Sequence, residues 1–468
     1  MNKKIHYLII SFLFIIISGC KDDDTNNAPD PLKVRNYIWN GLNEFYLWQE
    51  STANLADDKF SDQNSMNQFL NQFSSPKDLF YNLLNDYPNT DRFSWITDNY
   101  YELGNAVQNN IFGTNGIEFG LIPLSRNNNR LVGFVKYIIP NSDADNKGIE
   151  RGDLFYAVND IELTTNNYNI LFSDSYTLNF ASVNHNNYLN PNGVNIKLEK
   201  TEIQENPIHV SKIFDFENKK IGYLMYNSFS SGFDNNLNNE FGKFQSENID
   251  HLILDLRYNS GGSVNSAIRL ASMITGQFTN QLFTIERWNE KITKKHDFSL
   301  ENNFITTFDQ TSINHTRLNE ITVITSSNTA SASELIINCL KPYINVKVIG
   351  DQTVGKIHGS ITLYDSPDFS NKNINPDHTY AMQPLVLEIT NKNNENYPLG
   401  IIPDIPIIEN VLNLGVLGDE QEPLLNKALS EITNTVARVE EEIAPLGLKE
   451  FKTDRSISPI RDNMYVNY

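Results

Sequence analysis

From Lys220 onward the chain alternates short, near-continuous apolar runs with amphipathic stretches, and this alternation narrows the available folds more than any other feature. Residues 252–256, 321–324 and 346–349 are dominated by branched or large apolar side chains at successive positions. A strand with one wet face would alternate apolar and polar. A strand that is apolar nearly throughout is buried on both faces, as in a mostly parallel sheet covered by helices. Residues 221–226 read as a preceding strand. Leu237, Phe241 and Phe244, then residues 264–274 and 333–340, carry helical spacing between the runs. The expectation is a multi-domain α/β (α+β) chain whose α/β core spans 204–415.

Upstream the pattern differs. Val34, Ile38, Leu42 and Phe45 recur at steps of three and four behind Pro31, and Met66, Phe69, Leu70 and Phe73 do so again. Residues 31–105 therefore read as a helical N-terminal domain. Asp91-Arg92-Phe93-Ser94-Trp95 closes it and reads as a packing corner. Residues 106–203 change to short strands and turns, a β-rich module. Residues 416–468 read as a last amphipathic helix, around Leu424, Leu425, Ala428, Leu429 and Ile432, and a weakly patterned tail.

The first residues read as a leader. Lys3 and Lys4 precede an apolar run over 7–17 that is too short to span a bilayer. Ile17-Ser18-Gly19-Cys20 follows and resembles a bacterial lipobox. That resemblance implies a signal peptide over 1–19, lipidation at Cys20, and a membrane partner through the lipid. The alternatives are an uncleaved anchor and an ordinary signal with an incidental cysteine. Residues 20–30, with Asp22, Asp23 and Asp24, read as an acidic tether. The expected location is the cell envelope, anchored to the outer membrane on its periplasmic or cell-surface face.

Composition excludes several functions. A formal charge of −20 disfavours a nucleic-acid partner. Cys339 is the only cysteine after Cys20, so the mature chain can form no intrachain disulfide, and Cys339 reads as a small core residue. The eight histidines lack metal-ligand spacing. No Gly-x-Ser-x-Gly elbow or phosphate loop occurs. No metal or other cofactor is expected.

Three segments carry candidate chemistry: Asn259-Ser260-Gly261-Gly262, Thr329-Ala330-Ser331-Ala332-Ser333-Glu334, and Thr353-Val354-Gly355-Lys356. Ser331 through Glu334 forms a helix capping box, with serine at the N-cap and glutamate at N3. Such a serine also lies beside the free N–H groups and positive dipole end of a helix. Lys356 lies in an apolar setting, where burial can turn a lysine into a usable base. Glycines after a strand let backbone N–H groups turn inward unobstructed.

Together these segments resemble the S41 tail-specific, or C-terminal processing, peptidases, which are serine proteases with a Ser–Lys dyad. The resemblance spans most of the chain after the leader. It implies Ser331 as nucleophile, Lys356 as general base, and an oxyanion hole from the N–H of Ala332 and that of Gly261 or Gly262. It implies a core of the ClpP/crotonase-like type and an extended polypeptide as substrate. Many relatives carry a glutamine four residues after the lysine, where it orients the ammonium; here that position is Ser360, implied as the third catalytic residue. His358 offers a Ser–His alternative, although histidine is not the family's base. The order of Gly116-Ile117-Glu118-Phe119, Arg151-Gly152-Asp153 and Val158-Asn159-Asp160 resembles a PDZ module. A peptide-binding loop over Gly116, Ile117, Glu118 and Phe119 is implied, with Glu118 where relatives carry a second glycine. The contrasting readings are a non-catalytic member that binds extended peptides, and a surface lipoprotein that reuses the scaffold. Oligomeric state is left open.

Overall fold

The computed structural model describes residues 31–126, 129–184, 188–295, 300–435, 446, 449–453 and 464–466. The leader, Cys20 and the acidic tether lie outside the described residues. At the centre is a six-stranded sheet in the order Ile208–Phe216, Lys219–Tyr226, His251–Asp255, Glu320–Thr325, Asn345–Gly350, Ile405–Pro406. The first two strands are an antiparallel pair, and every later neighbour is parallel. The apolar runs behave as their composition requires. Leu252 and Leu254 point into one apolar core and Ile253 into another, so both faces are dry.

Helices Asp234–Glu247, Val264–Thr275 and Ala332–Leu340 cover one face through Leu237, Phe241, Ile268, Leu335 and Ile336. Helix Pro423–Thr433 covers the other through Leu424, Leu425, Ala428 and Leu429. Cys339 is buried in the first of these cores. The N-terminal helices Pro31–Phe45, Gln63–Leu70 and Pro76–Asn82 make no separate core. Val34, Ile38, Leu42, Leu79 and Phe80 belong to the same cluster as the helix side of the sheet. The region is also not wholly helical, since Trp95–Thr97 is a strand paired with Ala381–Gln383.

The β-rich module has its own core, which includes Ile117, Phe119, Val135, Phe155, Leu178 and Leu198. Strands Ile117–Pro123, Leu131–Ile138, Leu154–Val158, Ser175–Val183 and Leu189–Glu199 form an antiparallel sheet. Ile111–Thr114 and Thr201–Gln204 pair antiparallel where the chain enters and leaves it. A second six-stranded sheet runs Gly262–Ser263, Met464–Tyr465, His358–Ser360, Leu385–Asn391, Leu282–Trp288, Glu301–Asn303. The weakly patterned tail thus supplies strands to two sheets. Lys452–Thr453 joins the module's sheet and Met464–Tyr465 the second. Two-residue strands are too short to display a period in sequence.

One buried ionic cluster ties these parts together. Arg257 is fully buried. Its guanidinium donates to Asp255 at 2.8 Å, to Glu422 at 2.7 Å and to Glu409 at 3.0 Å. Glu409 also accepts from Arg151 at 2.8 Å and from the Tyr258 hydroxyl at 2.7 Å. Arg151 belongs to the module, Asp255 to the central sheet, and Glu422 caps the last helix. Burial pushes the Glu409 carboxyl up, but Arg151 and Arg257 outweigh it and hold the group at about 2. A depressed carboxyl contributes stability that is present above its unfolded value and lost as pH falls through the folded one. Urea titrations should therefore show stability falling between about pH 4.5 and pH 2, with Glu409→Gln removing part of that slope. Arg257→Ala leaves buried carboxylates without their cation and should cost about 3–5 kcal/mol at neutral pH.

Candidate active site

The turn between the strand Glu320–Thr325 and the helix Ala332–Leu340 sets Ser331 in an unusual conformation. Its φ is 66° and its ψ −121°, a region that costs a residue with a Cβ roughly 1–3 kcal/mol. The residue is 1% exposed, and its Oγ has no hydrogen-bond partner among the described residues. The capping-box arrangement expected here is present: Glu334 reaches back to accept the Ser331 N–H at 2.8 Å, and the serine side chain faces the Glu334 N–H, but its Oγ makes no hydrogen bond of ordinary geometry.

Glu334 does more than cap. Its Oε2 accepts the N–H of Ser331 and the N–H of Lys356, both at 2.8 Å. Its Oε1 accepts the Gly355 N–H at 2.7 Å and the Thr353 hydroxyl at 2.5 Å. Burial raises the pKa of this carboxyl, and those four donors oppose the rise. One side chain thus fixes the backbone of the candidate nucleophile against that of the candidate base. Val354 N–H adds a bond to Thr329 O at 3.0 Å. Gly355 has φ 82°, and a Cβ there would lie 2.6 Å from Gly400 N. The late Gly400-Ile401 segment is what the lysine loop packs on.

Lys356 is 2% exposed, with its Nζ 4.6 Å from the centre of the Phe93 ring. The neighbouring Arg92 donates to Gly355 O at 3.1 Å. The Asp91–Trp95 corner does act in packing: Asp91 is buried and accepts from Tyr46 and from the N–H of Ser94. It also builds one wall beside the lysine, a role the sequence did not reveal. Ser331, Lys356, Glu334, Leu335, Ile357 and Met464 line a common small cavity of about 20 Å³.

The glycine turn lies directly against Ser331. A Cβ on Gly261 would fall 2.5 Å from Ser331 Cβ and 2.7 Å from its Oγ, and Gly261 has φ 116°. The two glycines differ in their donors. Gly261 N–H is committed to Asn259 Oδ1 at 2.9 Å. Gly261 O and Ser263 N–H both bond to Phe229, at 2.9 and 2.8 Å. In an extended strand, successive residues turn their N–H and C=O to opposite sides. Gly262 therefore turns its N–H away from Phe229, towards the side where Met464 is paired. Asn259 organises the turn: its amide donates to Tyr226 O at 2.7 Å, and its carbonyl accepts from Ala330 N–H and the Ser333 hydroxyl. Ser333 is thereby engaged structurally.

The remaining candidates fall elsewhere. The Ser360 hydroxyl donates to Gln383 Oε1 at 3.1 Å and to Met464 O at 2.9 Å, and Ser360 does not line the cavity of Ser331 and Lys356. His358 packs edge-on to Trp48 at 5.1 Å, also off that cavity. Burial first, then the charges of Arg92 and Lys356, lower its pKa to about 4. In the module, the loop expected to bind peptide has used two of its donors. Gly116 N–H bonds Thr114 Oγ1 at 2.9 Å and Ile117 N–H bonds Asn115 Oδ1 at 3.2 Å. Ile117, Glu118 and Phe119 are already strand, and the Glu118 side chain is buried. A cavity of about 470 Å³ nonetheless opens beside them, lined by Asn115, Ile117, Phe119, Leu171, Tyr176 and Lys200 among others. Among the described residues no helix is long and apolar enough to cross a membrane, and no cluster of three metal-ligating side chains occurs.

A solved structure from Bacteroides fragilis, named as a candidate S41 protease, superposes with a TM-score of 0.66 at 23% identity, covering 85% of this chain and 97% of that one. The photosystem II D1 C-terminal processing protease superposes at 0.51 with 14% identity, over 87% and 99% of the two chains. Both likenesses concern the fold. Among curated sequences, a CtpA-like serine protease candidate of Staphylococcus epidermidis is 28% identical over 156 residues, 33% of this chain and 29% of that protein. A carboxyl-terminal-processing protease of Picosynechococcus is 24% identical over 245 residues, 52% of each chain. The chain spans about three-tenths and about half the length of these two relatives. The model of peptidase family S41 matches residues 220–407, and that of the S41 N-terminal domain matches 33–95. The two models take in most of the central sheet, the three helices on one of its faces and the N-terminal helices, more than half of the 468 residues, and the chain belongs to peptidase family S41.

Proposed function

We propose that this chain is a serine endopeptidase of the tail-specific, C-terminal processing kind, acting through Ser331 and Lys356. One observation carries the reading: a buried serine hydroxyl with no hydrogen-bond partner among the described residues, on a strained turn, shares a cavity with a buried lysine. Strain of this kind persists where surrounding structure over-determines it, and it clusters at active sites. In the proposed reaction the Ser331 hydroxyl attacks the scissile carbonyl carbon as the neutral Lys356 amine takes its proton. The N–H groups of Ala332 and Gly262 stabilise the oxyanion. Gly262 is preferred to Gly261 because the Gly261 N–H is committed to Asn259. The C–N bond then breaks, the Lys356 ammonium returns the proton to the leaving amine, and water releases the acyl group by the same route. Glu334 is a positioning residue. Ser360 meets Gln383 and the tail and is left out of proton transfer. The curated relatives, one named as a serine protease and the other as a carboxyl-terminal-processing protease, support a polypeptide substrate.

The β-rich module is proposed as PDZ-like on its order of elements and the cavity beside Ile117 and Phe119. Its ligand would be held chiefly by side-chain burial, since two loop donors are engaged internally. The lipid anchor is proposed on the Ile17-Ser18-Gly19-Cys20 sequence alone. Cys20→Ala should move the protein from the membrane fraction to the soluble one, and retention after a high-salt wash would contradict the anchor.

With unfolded proteins or extended peptides as substrate, Ser331→Ala should lower kcat by roughly 10³-fold or more, with an unchanged melting temperature because its hydroxyl has no hydrogen-bond partner among the described residues. Ser333→Ala should cost about 1 kcal/mol of stability and leave turnover within a few-fold. Lys356→Arg should be as inactive as Lys356→Ala, because arginine keeps its proton at any working pH. An active Lys356→Ala beside an inactive His358→Ala would move the base to histidine.

Glu334→Gln should behave differently from all of these. An amide matches only one pair of the four donors and turns its own NH₂ against the other. The expected results are a stability loss of about 2–3 kcal/mol and a kcat lowered roughly 10- to 100-fold, with KM nearly unchanged. A variant that lost stability alone would make Glu334 a helix cap and nothing more.

A further inference from the structure

The strand pairing beside Ser331 has an occupant from this same chain. Met464–Tyr465 lies parallel to Gly262–Ser263 on one side and, at Tyr465, parallel to Ser360 on the other. The Ser360 hydroxyl donates to Met464 O at 2.9 Å, and Val466 N–H donates to Ser360 O at 3.1 Å. Met464 is 1% exposed and lines the cavity of Ser331 and Lys356. The Tyr465 hydroxyl donates to Val107 O at 2.9 Å. Further back, Lys452–Thr453 adds antiparallel to the module strand Ile117–Pro123, opposite Leu121 and Gly120. Phe451 N–H donates to Leu121 O at 2.7 Å, and Glu450 pairs with the buried Lys136 at 2.8 Å. The tail therefore makes two strand additions, one on the module and one beside the candidate nucleophile.

Strand addition is how a sheet edge recognises an extended peptide: the backbone supplies affinity, and pockets for alternate side chains supply specificity. We propose that the tail segments 449–453 and 464–466 are an intramolecular pseudo-substrate. Residues 464–466 fill the slot that an extended polypeptide must enter to reach Ser331. The proposal rests on the reading of Ser331 as the nucleophile. It deepens that reading in one respect: the slot takes an apolar side chain of methionine or leucine size, not branched at Cβ, at the position of Met464, where Leu335, Ile357, Ile389 and Tyr397 form the wall.

The segment belongs to the same chain and so competes at a high effective concentration, on the order of millimolar. Substrate affinity is then reduced by the fraction of molecules whose slot is open. Only three described residues are paired there, so a longer polypeptide that also engages the module edge can displace them. Self-occupation would restrain cleavage of bystander proteins while admitting chains that make both additions at once.

The test uses the full chain after the leader and an internally quenched ten-residue extended peptide with leucine near its middle. The double variant Met464→Gly, Tyr465→Gly should raise kcat/KM at least 10-fold, mainly by lowering KM. A second measurement does not depend on how stable that variant is. In the otherwise intact Ser331→Ala chain, hydrogen exchange over residues 464–466 should be slow alone and should speed up at least 10-fold with saturating peptide, as Val466 N–H leaves Ser360 O. If peptide is hydrolysed by the wild-type chain while 464–466 stays protected and the double variant gains nothing, the tail is a fixed strand and the proposal falls, with the catalytic reading intact. If peptide releases 464–466 but no form of the protein hydrolyses it, the catalytic reading falls and the self-occupied slot stands.

Discussion

Glu334 is the interaction on which the rest of the site depends. A buried carboxylate is costly unless its oxygens are well supplied with donors. Here they collect four, drawn from two loops that are far apart in sequence and adjacent only because the strands Glu320–Thr325 and Asn345–Gly350 are neighbours in a parallel sheet. The parallel register brings the two loops out at the same end of the sheet. The carboxylate then converts that proximity into a fixed relation between Ser331 and Lys356. Ser331 can hold a positive φ because its N–H is bonded to Glu334 and its Cβ is packed against Gly261. Ligand and catalytic sites of open parallel sheets lie outside the carboxyl ends of the strands, and this site follows that rule.

The buried cluster around Arg257 plays the corresponding part at larger scale. Arg257 and Arg151 gather carboxylates from the central sheet, the segment before the last helix, and that helix's own N-cap. Replacing such a cluster by apolar residues need not lower stability. What it specifies is register: each arginine accepts only partners in fixed planar geometry. The β-rich module is thereby docked at a set angle to the sheet end that carries the glycine turn.

Much of this was legible in sequence, and for identifiable reasons. The runs over 252–256, 321–324 and 346–349 are apolar throughout because both faces are buried, so the parallel sheet could be read from them directly. Ser331, Lys356 and the glycine turn could be found because each sits in a short contiguous motif. What escaped were relations between distant segments. Phe93 and Arg92 sit against Lys356 across more than 260 residues of chain, and nothing in Asp91–Trp95 announces it. Glu334 reads as a cap, since its bonds to Thr353, Gly355 and Lys356 depend on sheet order. Only hydrogen-bond accounting separates Gly261 from Gly262. The strands at 452–453 and 464–465 are too short for any periodic signal, and Ser360 turned out to face one of them.

The account stands or falls on whether Ser331 is a nucleophile activated by Lys356. The most direct measurement is covalent trapping with a small fluorophosphonate, followed by mass mapping of the digested protein. The account predicts a single adduct on Ser331, and labelling slowed by at least 100-fold in Lys356→Arg although that variant remains folded. An adduct on Ser333, no adduct on either serine, or labelling of Ser331 at the same rate in Lys356→Arg would contradict it.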